Sequence, residues 1–264
     1  KISDRVAEMR DLPKGIDQRS ACRHPDWTGP DDLEIKIGEL REITDWEKPI
    51  FIKVGATRPY YDTALAVKAG ADVVVLDGMQ GGTAATQEVF IEHVGIPTLA
   101  AIRPAVDALL ELGVHRKVQL VVSGGIRSGA DVAKALALGA DAVSIGVAAI
   151  IALGDNSPEH DEGYAEIGSA AGFYDDWHEG RDPAGISTQD DELAAHFDPE
   201  LGGRRLANYL RTMVLEAQTL ARGCGKSHLH NLEPEDLVAL TLEAAAMARV
   251  PLAGTSWIPG SSGP

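Results

Sequence analysis

The sequence is poor in cysteine and in positive charge, and it has no long apolar run. Cys22 and Cys224 are the only cysteines in 264 residues. That excludes a disulfide scaffold and makes a reducing, cytoplasmic setting the expectation. Lys and Arg total 24 against 40 Asp and Glu, a formal charge of -16. Binding to nucleic acid or to an anionic membrane needs a basic surface, so neither is expected as a partner. No apolar stretch approaches the ~18 residues of a membrane span, and Lys1-Ile2-Ser3-Asp4 does not read as a signal peptide. There is no Walker lysine motif, no complete Gly-x-Gly-x-x-Gly and no Gly-x-Ser-x-Gly. What is present is 44% hydrophobic residues and a mean hydropathy of -0.07. That composition supports a sizeable core, in one domain with or without an extension.

The negative charge is concentrated. Residues 155–200 hold 14 acidic residues and one basic residue, Arg181. The stretch has little apolar periodicity and reads as a long excursion between two ordered halves. Two readings stay open for it: a solvated acidic loop, or a contact surface for a basic partner subunit.

Before residue 155, short β-rich runs alternate with amphipathic helical runs. Strands are expected over 49–55, 71–78, 97–102, 118–125 and 140–146, with a weaker candidate at 15–20. Helices are expected over 31–44, 61–68, 86–94, 104–112 and 130–138, several of them stopping at a glycine. The phrase Gly-Ala-Asp follows a helix and leads into a strand twice, at 70–72 and 139–141. Continuous apolar strands separated by helices predict a parallel sheet covered by helices. After residue 200 two helices are expected, Leu206 to Arg222 and Pro234 to Arg249.

Glycine placement favours a TIM barrel over an open doubly wound sheet. Ser123-Gly124-Gly125-Ile126-Arg127-Ser128-Gly129 and Gly146-Val147-Ala148-Ala149 end successive strands. Barrel enzymes often hold a phosphate with the loops after their last two strands, where bare backbone N–H groups let an anion approach. The alternative is a pair of tight turns with no ligand. With these two as the seventh and eighth, the chain offers only six strands in all, two short of a closed barrel. A barrel lacking its N-terminal strands in this chain is therefore expected.

The strand ends carry the candidate chemistry. Lys53 lies among Phe51, Ile52 and Val54. A lysine there either faces an electron-rich ring or a substrate carboxylate, or snorkels to the rim. Asp77-Gly78-Met79-Gln80-Gly81-Gly82-Thr83 follows the next strand; its glycines admit a flat ring or phosphate against the backbone, or form a plain turn. Cys224, His228 and His230 fit no structural zinc spacing well, and no metal site is expected.

Several segments, in order, resemble the FMN-binding domain of the glutamate synthase family. Residues 74–85, Val-Val-Leu-Asp-Gly-Met-Gln-Gly-Gly-Thr-Ala-Ala, are similar to its Gly-Gly-Thr-Gly-Ala region. Ile52-Lys53-Val54 resembles its Val-Lys-Leu strand. The segment 122–131 resembles its phosphate loop, Ile145-Gly146-Val147-Ala148 its next glycine loop, and 183–189 its Pro-Val-Gly-Val-Ala-Thr-Gln segment. Asn231 to Leu237 resembles the stand-alone subunits of the family, among them N-methylglutamate synthase.

The resemblance implies an FMN-dependent TIM barrel occupying 1–154, the acidic excursion at 155–200 and a helical extension at 201–264. It implies that Ser123, Gly124, Gly125, Gly146 and Val147 hold the FMN phosphate. Lys53 would lie at the N1–C2 edge of the ring, and Gln80, Gly81, Gly82 and Thr83 against the flavin or substrate, with Lys53 and Gln80 as the catalytic pair. Substrates would be glutamate or 2-oxoglutarate with ammonia or a small amine, and partners would be amidotransferase-like subunits in a hetero-oligomer. The family's three-cysteine cluster motif is missing, because 154–190 contains no cysteine. No iron–sulfur cluster is therefore expected to be ligated by this chain alone. A redox-neutral amine exchange between glutamate and its imine fits that absence. The alternatives are a synthase subunit reduced through a cluster on another chain, and a non-catalytic barrel fragment. A barrel like that of IMP dehydrogenase shares the phosphate loops, but it needs a cysteine nucleophile that neither Cys22 nor Cys224 is placed to supply.

Overall fold

Four short apolar runs become parallel strands in the computed structural model, which describes residues 4–15, 24–81, 88–172, 181–188 and 190–261. They are β1 (Phe51–Gly55), β2 (Val73–Asp77), β3 (Gln119–Ser123) and β4 (Ala142–Ser144). Their order in the sheet is the order in the chain, β1-β2-β3-β4, and every pairing is parallel. A doubly wound sheet reverses its order at a switch point. Sequential order without reversal is that of consecutive TIM-barrel units.

The chain divides into two compact units. One comprises Cys22–Gly81, Glu92–Ile145 and Met213–Pro264 and contains the sheet. Register decides which side chains share a face: Val54 pairs with Leu76 and Val122, Lys53 with Val75 and Val121. The first face is dry. Val74, Leu76, Leu120 and Val122 have no exposed surface and pack with Ala66, Ala101, Ile102, Ala105, Val106 and Leu109 of the helices Pro59–Lys68 and Thr98–Glu111. On the opposite face Val75 and Val121 are half-buried, while Phe51 and Lys53 on the edge strand are exposed.

Both Gly-Ala-Asp turns work as clamps. Asp72 accepts from the Ile50 N–H at 2.7 Å and from Arg41 at 3.0 Å. Asp141 accepts from the Leu120 N–H at 2.8 Å and from Arg116 at 2.8 Å. Each aspartate ties the start of its own strand to the preceding strand, which fixes the register. The helix Gly129–Ala137 has a capping box between Ser128 and Asp131. Its Gly129 N–H donates to Glu216 at 2.9 Å. A Cβ at residue 129 would stand 2.3 Å from the Met213 carbonyl, so only glycine admits the crossing helix Pro199–Gly223 here.

The other unit comprises Lys1–Ala21, Gly82–Ile91 and Gly146–Thr212. It includes the whole acidic stretch, and two of those acids are not solvated. Asp155 and Asp182 are buried around Tyr164, whose hydroxyl lies 2.6 and 3.1 Å from their carboxylates. Asp182 also accepts from the Ala184, Ile186 and Ser187 N–H groups, which fixes the Pro183–Ser187 turn.

Three expectations need correction or lie outside view. The run 97–102 is not a strand but the start of the helix Thr98–Glu111, with Pro104 inside it. A buried apolar run reads equally as strand or helix, and here the i, i+3, i+4 spacing of Thr98, Ala101, Ile102, Ala105, Val106 and Leu109 prevails. The helix expected from Pro234 to Arg249 is a 3₁₀ turn at Pro234–Asp236, a bridge from Ala239 to Leu252, and a helix at Leu242–Ala248. Thr241 starts that helix by accepting from the Ala244 N–H at 3.2 Å. The weak strand candidate at 15–20 falls, beyond Gly15, outside the described residues.

Candidate functional site

The C-terminal ends of β1, β2 and β3 gather most of the expected site residues. Lys53 points from the edge strand toward the end of β2, where its Nζ donates to Asp77 Oδ2 at 2.9 Å. The register explains the meeting: Gly55 pairs with Asp77, so Lys53 is one step away on the same face. Asp77 Oδ1 is buried and has no hydrogen-bond partner among the described residues.

The chain then makes a tight turn, Met79–Gly81, closed by the Gly81 N–H donating to the Gly78 carbonyl at 2.8 Å. Two glycines are required here by contact. A Cβ at Gly78 would lie 1.9 Å from Thr98 Oγ1, and one at Gly81 would lie 2.0 Å from Asp77 Oδ1. After β3, Gly124 and Gly125 have φ of 107° and 74°, a region that favours glycine. A Cβ at Gly124 would meet Thr98 Oγ1 at 2.6 Å, and one at Gly125 would meet Gln80 Cβ at 3.3 Å.

Thr98 binds these loops together. Its N–H donates to Gln80 Oε1 at 2.9 Å. Its hydroxyl lies 3.0 Å from the same oxygen, 3.2 Å from the Ser123 carbonyl and 2.9 Å from the Gly124 carbonyl. The backbone N–H can only donate, so the Gln80 amide must turn its oxygen toward Thr98 and its Nε2 away. Neither Asp77 nor Thr98 stood among the expected site residues. Asp77 had a signal, a carboxylate closing an apolar strand. Thr98 had none while its segment read as a strand.

The expected phosphate loop is partly occupied by the protein itself. The Arg127 and Ser128 N–H groups donate to Asp131 at 2.9 and 3.0 Å, and that of Gly129 donates to Glu216. The donors left over are earlier in the loop. Among the described residues, the N–H groups of Gly124 and Gly125 meet no protein acceptor. Two adjacent unspent N–H groups beside bare Cα atoms fit an anion or a ring edge. Gly146 and Val147 belong to the other unit, where Gly146 (φ -126°, ψ -93°) precedes the short helix Val147–Ile150. Gly82 and Thr83 lie outside the described residues. His228 caps a turn by accepting from the His230 N–H at 3.2 Å, and His230 Nε2 lies 2.8 Å from the Asp141 carbonyl.

Residues 1–159 match the family model described as a conserved region in glutamate synthase. The chain belongs to the glutamate synthase family. It is 80% identical over 260 residues to a glutamate synthase large subunit-like protein of Rhizobium meliloti (strain 1021), covering 98% of this chain and 59% of that protein. It is 38% identical over 233 residues to an archaeal-type glutamate synthase [NADPH] of Thermotoga maritima, covering 88% of this chain and 43% of that protein. The chain thus spans about half the length of these relatives. Among solved structures, a pyruvate-bound mutant of flavocytochrome b2 is similar over 98% of this chain and 47% of its own, at 21% identity and a TM-score of 0.49.

Proposed function

We propose that this chain carries the flavin site of an FMN-dependent, amine-transferring enzyme that makes N-methylglutamate or glutamate. The observation that carries the reading is the arrangement at the strand ends: one tethered ammonium, Lys53, in the same unit as a glycine loop with unspent N–H donors. When bound, FMN would supply the two-electron chemistry that interconverts an amino acid and its imine. Of the residues carried over from the family, Gly124, Gly125 and Ser123 would hold the cofactor's phosphate. Lys53 would meet the anionic edge of the ring or a substrate carboxylate. Gln80, its carbonyl fixed by Thr98, offers Nε2 as a donor. Gly81 would lie against the ring or substrate.

A redox-neutral exchange needs no external reductant: glutamate loses two electrons to become the imine, the nitrogen is exchanged, and the imine regains them. The sequence favours that cycle because two cysteines cannot ligate a three-cysteine cluster. In that exchange a small amine such as methylamine replaces the nitrogen and ammonia leaves; net glutamate formation from 2-oxoglutarate and ammonia consumes two electrons and belongs to the second reading, with ammonia supplied by amidotransferase-like partner subunits. A second reading draws support from the Thermotoga maritima relative, whose name includes NADPH. In it, a partner chain passes electrons from NADPH to the flavin.

An absorption spectrum of the purified full-length protein, repeated with glutamate under anaerobic conditions, tests both. Flavin bands near ~450 nm that bleach with glutamate support the exchange. Bands that bleach only with NADPH and partner subunits support the second reading. A protein that takes up no FMN overturns both.

A further inference from the structure

Asp77 ends β2 with a carboxylate that the imine chemistry does not call for. Its side chain is 12% exposed, and one oxygen is committed to Lys53. The other is buried without a partner among the described residues, and it fits only because residue 81 has no side chain. Burying an acceptor unpaired is unfavourable, and such groups persist where a neighbouring interaction or a function offsets the cost. The neighbour here is Lys53, whose Nζ it holds at 2.9 Å. A lysine has a long flexible stem and a strongly hydrated head. Without a tether its ammonium is spread over many rotamers and spends little time at any fixed point.

We propose that Asp77 is a positioning residue that acts through Lys53. It holds the ammonium at the strand ends, in register with the glycine loops, so that an anionic ring edge or carboxylate meets a cation already in place. Gly81 is part of the device, since its bare Cα makes room for the carboxylate. This proposal rests on the FMN reading above.

The sign of the effect separates an anchor from a carboxylate acting by its own charge. Removing a negative charge near the ring by itself favours the reduced, more negative state. Removing an anchor disfavours that state, because the cation leaves.

The test uses the full-length protein loaded with FMN. Dissociation constants are measured for oxidised and reduced FMN in the wild type, Asp77→Ala, Lys53→Met and the double variant. Asp77→Ala is expected to weaken reduced FMN relative to oxidised by about tenfold, a fall of about 30 mV for a two-electron couple. Lys53→Met is expected to cause at least that fall, and the double variant no more than Lys53→Met alone. Asp77→Asn keeps an acceptor oxygen for Nζ and should hold the potential at or above wild type. An Asp77→Ala potential that stays level or rises, or a further fall in the double variant, overturns the proposal. If Asp77→Ala does not fold, Gly81→Ala takes its place. The added methyl displaces the carboxylate without removing its charge, and the same fall, again absent beside Lys53→Met, is expected; an unmoved potential overturns the proposal. A wild type that binds no FMN overturns the functional reading and this proposal together. A wild type that binds it while the variants do not move overturns this proposal alone.

Discussion

The two ends of the same strands are built by different rules. Where the strands begin, one oxygen of Asp72 accepts from both a backbone N–H and an arginine, and Asp141 gives one oxygen to each. Where the strands end, among the described residues, Asp77 has one buried oxygen unpaired, the glycines leave Cα atoms bare, and two N–H groups stay unspent. One end closes its hydrogen-bonding account within the chain and the other leaves it open. Barrel-type proteins divide their labour in this way, with stability at the N-terminal strand ends and chemistry at the C-terminal ends.

The sharpest way to break the contrast is Asp141→Ala. Asp141 is 8% exposed, and its loss strands the Leu120 N–H and leaves the Arg116 guanidinium only the Ala140 carbonyl at 3.3 Å. Stability should fall by about 2–4 kcal/mol, less than for a fully buried pair because Arg116 is partly solvated. Urea denaturation measures this, while FMN affinity of the folded fraction should remain near wild type. An affinity loss as large as the stability loss would mean the two ends are not separable.

Thr98→Ala attacks the opposite end. It removes a hydroxyl shared by Gln80 and the carbonyls of Ser123 and Gly124, but leaves the N–H to Gln80. The expected cost is about 1 kcal/mol of stability. A larger relative loss of kcat/KM should accompany it as the Gln80 and Gly124 loops come apart. Thr98→Ser should restore both. A serine variant no better than alanine would argue that the methyl group, not the hydroxyl, does the work.

The smallest effect lies at alkaline pH. Glu233, then Asp236, hold the Lys226 ammonium above its ordinary pKa, with desolvation opposing them. The hydrogen bond to Glu111 likewise raises the Tyr60 hydroxyl. In both cases the folded chain binds the proton more tightly than the unfolded chain. Their contribution is therefore complete below the ordinary pKa values of 10.5 and 10.0 and fades as pH rises through the raised ones. Thermal unfolding from pH 9 upward should show the midpoint falling less steeply in Lys226→Met and Tyr60→Phe than in wild type. Equal slopes would remove these two groups as the cause.

Much of the fold was legible in the residues. The β1, β2 and β3 runs are short, apolar and bounded by helix stops, and each was expected within about two residues of where it lies. The misreadings share a cause. At Thr98–Glu111 an apolar run between two prolines hid a helical period, because full burial on one face leaves few polar markers. At Pro234 the proline and its acids start a single 3₁₀ turn, and the true helix start is the cap at Thr241. The candidate site was legible in its types but not in its ties. Lys53, Gln80 and the glycines stood out by composition, while Asp77 and Thr98 matter through partners 24 and 18 residues away.

The sequence by itself determined the alternation of strands and helices, the glycine turns, the lone lysine among apolar neighbours and the shortage of cysteine. These are local properties, written in periodicity and composition. Only the tertiary structure decided that Lys53 meets Asp77 and that Thr98 locks Gln80 to the Gly124 loop. It also decided that helix capping by Asp131 and Glu216 leaves the Gly124 and Gly125 N–H groups as the available donors. Those outcomes depend on strand register and on how closely one backbone approaches another. Both are set by contacts between distant residues, and no local pattern encodes them.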